Sequence, residues 1–126
     1  MDLLIVEDLK EYVDSLAFIA EDYFENIYTA SNLKDAQLFF KNGIPDVAIV
    51  DIRLSMEDEA NRDGLDLLKW IKANSFKTKV IMISAYQDFD FAVEALNAGA
   101  EYFLKKPVRN SELEELISSL VAPAKG

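Results

Sequence analysis

Glu7 and Asp8 stand side by side directly after the apolar run Leu3-Leu4-Ile5-Val6, and a third carboxylate, Asp51, directly follows Val47-Ala48-Ile49-Val50. Ser84 closes Val80-Ile81-Met82-Ile83 in the same way, and Lys105, Lys106 and Pro107 follow Tyr102-Phe103-Leu104. Carboxylates crowded together repel one another unless a cation compensates them. An oxygen-only donor set, in a chain without His or Cys, suits a hard cation; Mg²⁺ retaining several waters is the expected ion. Without it, at least one carboxyl of the cluster should have a raised pKa. A carboxylate can also attack phosphorus to give an acyl phosphate. A cation and a lysine that neutralise the equatorial oxygens supply most of what phosphoryl transfer needs. A hydroxyl one strand over adds a hydrogen bond. Taken singly, each group has a plainer reading: Glu7-Asp8 or Ser84 as helix caps, Asp51 and Lys106-Pro107 as turn residues.

These groups meet only if the segments before them are strands of one sheet. Leu3–Val6, Val47–Val50 and Val80–Ile83 are short, continuous and rich in β-branched residues, the pattern of strands covered on both faces. Ile27–Thr29 and Tyr102–Leu104 read as shorter edge strands. Helical patterns lie between them. Leu9, Val13, Leu16, Ala17 and Ala20 form the first stripe. Ser31 is placed to cap the second helix, with Leu33, Ala36 and Phe40 facing inward and Asn42-Gly43-Ile44-Pro45 stopping it. Leu65, Leu67, Leu68 and Ile71 serve the third, and Phe89, Ala92, Val93 and Leu96 the fourth, closed by Gly99. Ser111 with Glu114 forms a capping box for the fifth, lined by Leu113, Leu116, Ile117 and Leu120. Strict β-α alternation predicts a doubly wound α/β fold with right-handed crossovers, whose ligands bind beyond the carboxyl ends of the strands.

Length and composition narrow the function. The chain has 126 residues, 51% hydrophobic and 29% charged, enough for one domain with its own core. With 23 acidic and 13 basic residues the net charge is −10, which argues against direct binding of nucleic acid. The absence of His excludes a Ser-His-Asp triad and a phosphohistidine within the chain. No apolar run approaches membrane-spanning length, no basic region precedes an apolar one at the N-terminus, and a cytoplasmic setting is expected. Residues 1–121 read as the domain and residues 122–126 as a tail or the start of a linker.

The acidic pair in IVED, the lone acid in AIVDIRL, the hydroxyl in MISAY and the KP in YFLKKPV occur in an order and spacing that resemble the receiver domain of two-component response regulators over essentially the whole chain. The resemblance implies a flavodoxin-like five-stranded parallel sheet in the order 2-1-3-4-5, with helices on both faces. It implies that Asp51 is the phosphoacceptor. Glu7, Asp8 and Asp51 would hold Mg²⁺ together with the backbone carbonyl of Arg53. Ser84 would bond a phosphoryl oxygen, Lys106 would pair with the phosphoryl group, and Phe103 stands where the family has its switch aromatic. The implied partners are a sensor histidine kinase or a phosphotransfer protein, with homodimerisation on phosphorylation through the face of the fourth helix, fifth strand and fifth helix. Such a chain is a phosphoacceptor that assists its own phosphorylation and slow dephosphorylation, rather than an enzyme.

Several positions depart from the family's commoner choices. Glu7 is longer by one methylene than the usual Asp, Ser84 replaces Thr, and Phe103 lacks the hydroxyl of Tyr. The loop IRLSMEDEANRDG is longer than usual and has Ser55 near the place of its proline; its acids Glu57, Asp58 and Glu59 read as a solvated insertion. Lys105 reads as a solvated charge. Three other functions fit these residues less well. An aspartate-nucleophile phosphatase of the haloacid dehalogenase type needs a second Asp two residues after the nucleophile, where this chain has Arg53. A flavodoxin-like carrier needs a hydroxyl- and Gly-rich phosphate loop where this chain has Glu7-Asp8-Leu9-Lys10. A degenerate receiver serving only as a docking module would not need the full set of site residues. The stretch YQDFDFAVEALNAGAEYFLKKPV is similar to receivers that precede DNA-binding modules.

Overall fold

Apolar runs too continuous to leave either face wet build the sheet. They form β1 (Asp2–Val6), β3 (Val47–Asp51) and β4 (Lys79–Ser84), flanked by β2 (Asn26–Ala30) and β5 (Tyr102–Lys105). The computed structural model describes residues 1–55, 58, 60–84 and 89–121, with the backbone alone at Phe89. Glu57, Glu59, the Ala85 that follows Ser84, and the expected tail 122–126 lie outside the described residues. All pairings are parallel and the order is β2-β1-β3-β4-β5, so β2 and β5 are the edges, as their shorter patterns predict. The helices are α1 (Lys10–Ala20), α2 (Leu33–Asn42), α3 (Asp63–Ala73), α4 (Phe89–Asn97) and α5 (Asn110–Val121).

Strand alternation sorts the core into two layers. Leu3, Ile5, Val47, Ile49, Ile81, Ile83 and Leu104 meet Leu16, Ile19 and Ala20 of α1 and Leu113 and Ile117 of α5. Leu4, Val6, Ala48, Val50, Val80 and Met82 meet Ala36 and Phe40 of α2, Leu65, Leu68 and Ile71 of α3, and Ala95 of α4. Both layers are sealed, because leaving one face of an aliphatic run in water would forfeit about 1.5–3 kcal/mol for each side chain.

Three local expectations are corrected. Asn32, not Ser31, caps α2: its Oδ1 accepts the Asp35 N–H at 2.8 Å and its Nδ2 reaches Asp35 Oδ2 at 3.1 Å. Asn32 wins because the acid that closes the cap lies three residues beyond it, whereas Ser31 has Lys34 at that place. Ser111 lies inside the first turn of α5, where the Leu113 N–H bonds the Arg109 carbonyl at 3.1 Å, so no capping box forms at Ser111.

The inward stripe of α4 is Phe91, Ala95 and Ala98, leaving Val93 47% and Leu96 49% exposed; the side chain of Phe89 lies outside the described part. Two apolar stripes overlap in this helix. The chosen one puts small alanines against the sheet and turns Glu94 toward α3. There Glu94 bonds Arg62 and Lys69, each at 2.6 Å, while the Arg62 guanidinium lies 4.8 Å from the Phe91 ring centroid. The two cations, the Lys69 hydrogen bond foremost, hold the Glu94 carboxyl below its usual pKa.

Candidate functional site

The strand order creates the site. From β1 the chain winds out to β2 and then returns past β1 to β3, so the loops after β1 and β3 part in opposite directions. Glu7 follows β1 and Asp51 ends β3, and each continues the alternation that points Leu3, Ile5, Val47 and Ile49 toward α1 and α5. Lys106 continues the same alternation after Leu104. The Glu7, Asp51 and Lys106 side chains therefore emerge on one side of the sheet, the side that α1 and α5 cover. The Lys106–Pro107 peptide bond is cis.

Burial is nearly complete, with Glu7 1% and Asp51 4% exposed. The Lys106 ammonium lies 2.9 Å from Asp51 Oδ2 and 2.8 Å from Glu7 Oε1; the first contact is a hydrogen bond, the second a bent ion pair. The Lys106 N–H donates to the Ser84 carbonyl at 2.7 Å, tying its backbone to the end of β4. The Leu9 N–H donates to Glu7 Oε2 at 3.2 Å.

Three carboxylates with one ammonium leave a surplus of negative charge. Burial, and after it the Asp51 charge, pushes the Glu7 carboxyl up to about 8. Burial also raises the Asp51 pKa, against the opposing pull of Lys106. The expected raised carboxyl is present, with desolvation rather than mutual repulsion as its first cause. Burial alone would lower the Lys106 pKa, but Asp51 and Glu7 outweigh it and the ammonium is held charged.

Carboxylate oxygens of Glu7, Asp8 and Asp51 lie within 4.8 Å of one another. Asp8 Oδ1 is buried without a hydrogen-bond partner, an acceptor that a cation would satisfy. The donor chemistry and this orphaned oxygen fit a hard divalent cation. A depression of about 340 Å³ beside Glu7 and Asp8, lined also by Lys10, Thr29, Ser31 and Asp35, brings solvent to the cluster.

Ser84 is fully buried at the end of β4. It continues the alternation of Val80 and Met82, on the side of the sheet that α3 and α4 cover. Phe103 sits on that same side, paired with Met82 and half-buried against the core. Lys105 is exposed. Arg53 is half-buried, and its backbone hydrogen bond favours the ionised form of Asp51. Within the long loop, the Asn61 Oδ1 accepts the N–H groups of Leu54 (2.9 Å) and Asp63 (3.0 Å), which closes the loop on itself.

Two contributors escaped the sequence reading. Tyr12 of α1 lays its ring 4.3 Å from the Lys106 ammonium. Gly64, in the first turn of α3, donates its N–H to the Ile52 carbonyl at 2.8 Å and passes so close to Asp51 that a Cβ would fall 1.8 Å from the Asp51 carbonyl oxygen.

The sequence profile of the response regulator receiver domain matches residues 3–118. The response regulator protein PilR of Pseudomonas aeruginosa is 34% identical over 116 residues, which are 92% of this chain and 25% of that protein. The transcriptional regulatory protein PhoP of Escherichia coli is 29% identical over 121 residues, 96% of this chain and 52% of that protein. This chain thus spans a quarter to a half of the length of these curated relatives. The solved receiver domain of NtrX from Brucella abortus superposes with a TM-score of 0.83 at 28% identity, covering 96% of this chain and 98% of that one. The N-terminal receiver domain of a response regulator from Bacteroides fragilis gives 0.81 at 25% identity, covering 94% of each chain.

Proposed function

The chain belongs to the response regulator receiver domain family, and from that premise we propose that it accepts a phosphoryl group on Asp51 and changes its partner-binding face in response. One observation carries the reading: a buried carboxylate at the switch point of the sheet has one oxygen held by Lys106 at 2.9 Å, with two further carboxylates beside it. The donor would be a phosphohistidine of a sensor kinase or phosphotransfer protein. An Asp51 oxygen forms the new O–P bond as the P–N bond breaks, and the electron pair leaves with the imidazole nitrogen. Lys106 neutralises charge on the transferred group. Glu7, Asp8, Asp51 and the Arg53 carbonyl would hold Mg²⁺, which when bound offsets charge on the phosphoryl oxygens. A cytoplasmic setting fits this role, and among the described residues no helix is long and apolar enough to cross a membrane.

The test is intact mass after incubation with Mg²⁺ and acetyl phosphate. One labile phosphoryl adduct is expected, and Asp51→Asn should abolish it. An adduct that persists in Asp51→Asn contradicts the assignment.

Response to the phosphoryl group would pass through Ser84 and Phe103 to α4, β5 and α5, where Val93 (47%), Leu96 (49%) and Tyr102 (37%) are exposed for a partner or a second copy. Converting a mostly inactive population to a mostly active one takes about 5.5 kcal/mol. One charge-assisted hydrogen bond gives roughly 1.5–3 kcal/mol, so Ser84, Lys106 and the partner must act together. Ser84→Ala should therefore still accept phosphate but lose most of the beryllofluoride-induced chemical-shift change at residues 89–104. Shifts equal to those of the parent would mean that the coupling runs by another route.

A further inference from the structure

Lysine is a compact ammonium on a flexible four-carbon stem, with none of the fixed geometry of a guanidinium. Lys106 nevertheless sits in one place, its side chain 13% exposed. Glu7 and Asp51 contact the ammonium, and the face of the Tyr12 ring covers it at 4.3 Å from the centroid. Tyr12 is itself half-buried. It lies one helical turn before the buried Leu16, so the inward face of α1 aims the ring over the strand ends. The Tyr12 and Val13 N–H groups bond the Leu9 carbonyl at 3.1 Å each, which fixes this first turn.

We propose that Tyr12 is a positioning residue for phosphoryl transfer at Asp51. Its ring holds the Lys106 ammonium over the carboxylates, where an incoming phosphoryl oxygen meets it, and closes the path by which the stem would swing into water. The inference rests on Asp51 as the acceptor. A cation over an aromatic face is worth most where water is excluded. As the phosphoryl group arrives, Lys106 exchanges a carboxylate contact for a phosphoryl oxygen, while the ring contact persists.

The experiment is the rate of adduct formation with acetyl phosphate at saturating Mg²⁺, read by intact mass. Tyr12→Leu should slow the reaction about 10-fold, and Tyr12→Phe, which keeps the ring, should restore it to within about twofold. In a Lys106→Met background, Tyr12→Leu should produce no further loss. A packing role alone would slow both backgrounds by the same factor, and that result overturns the proposal. So does a Tyr12→Leu rate equal to the parent's. Thermal unfolding checks that the variants fold; if Leu fails, Tyr12→Met, of similar reach and without a ring, takes its place in the same comparisons. A parent protein that forms no adduct on Asp51 overturns the acceptor reading itself, a distinct outcome from an active parent indifferent to Tyr12.

Discussion

Gly64→Ala is expected to lower the melting temperature by about 10 °C, a loss of about 3 kcal/mol or more. The added Cβ would lie 1.8 Å from the Asp51 carbonyl oxygen, 2.6 Å from its carbonyl carbon and 2.8 Å from Ile52 Cα. All three are backbone atoms of the strand end, so no flexible side chain can yield. Either α3 lifts away and loses the Gly64 N–H bond to Ile52, or β3 shifts and carries Asp51 with it. The second outcome would also weaken binding of a divalent cation. Gly43→Ala is the control: nothing lies within 4 Å of its Cβ position and its backbone is extended, so it should change the melting temperature by less than about 2 °C. Equal melting temperatures for Gly64→Ala and the parent would show that the close approach at Asp51 is not rigid.

The second large effect concerns Glu7 and pH. Its carboxyl titrates near 4.5 in the unfolded chain and near 8 in the folded protein. Between those values the unfolded chain has released the proton that the native state keeps. The contribution of Glu7 is fully present below about 4.5 and is lost as pH rises through about 8, by up to about 1.4 kcal/mol per pH unit. Asp51, also raised, acts in the same direction. Metal-free protein should therefore lose urea resistance from pH 5.5 to 8, and Glu7→Gln, which buries no charge, should flatten that decline. Millimolar Mg²⁺ should restore the parent at pH 8, by about 2.7 kcal/mol at 100 times the dissociation constant, and restore Glu7→Gln much less. Parallel pH profiles for parent and variant would mean that Glu7 is not the buried proton carrier.

The sequence exposed the site because its chemistry sits where strands stop. A polar group cannot continue a sealed apolar run, so Glu7, Asp51 and Ser84 announce themselves by ending aliphatic stretches, and Lys106 by the Lys-Pro pair that follows Tyr102-Phe103-Leu104-Lys105. The strand order followed from family resemblance, since alternation alone fixes neither which strand is central nor where the winding reverses. What stayed hidden depends on distances across the fold. Tyr12 reads as one more inward residue of an amphipathic helix until Lys106 is brought beneath it from 94 positions away. Gly64 reads as loop punctuation, because nothing local says that a strand end will press against it. The inward face of α4 is not legible locally because two apolar stripes overlap in its nine residues, and Glu94 pairs with partners distant in sequence, Arg62 just before α3 and Lys69 within it.

The central claim is that Asp51 receives the phosphoryl group, and the most direct measurement is chemical trapping on the unmodified sequence. Borohydride reduces an acyl phosphate to the alcohol, converting the modified aspartate to homoserine, and peptide mass spectrometry then reads its position. After treatment with Mg²⁺ and acetyl phosphate, homoserine is expected at residue 51, with Glu7 and Asp8 unreduced. Reduction at another carboxylate, or none beside a protein whose intact mass carries the adduct, would contradict the account.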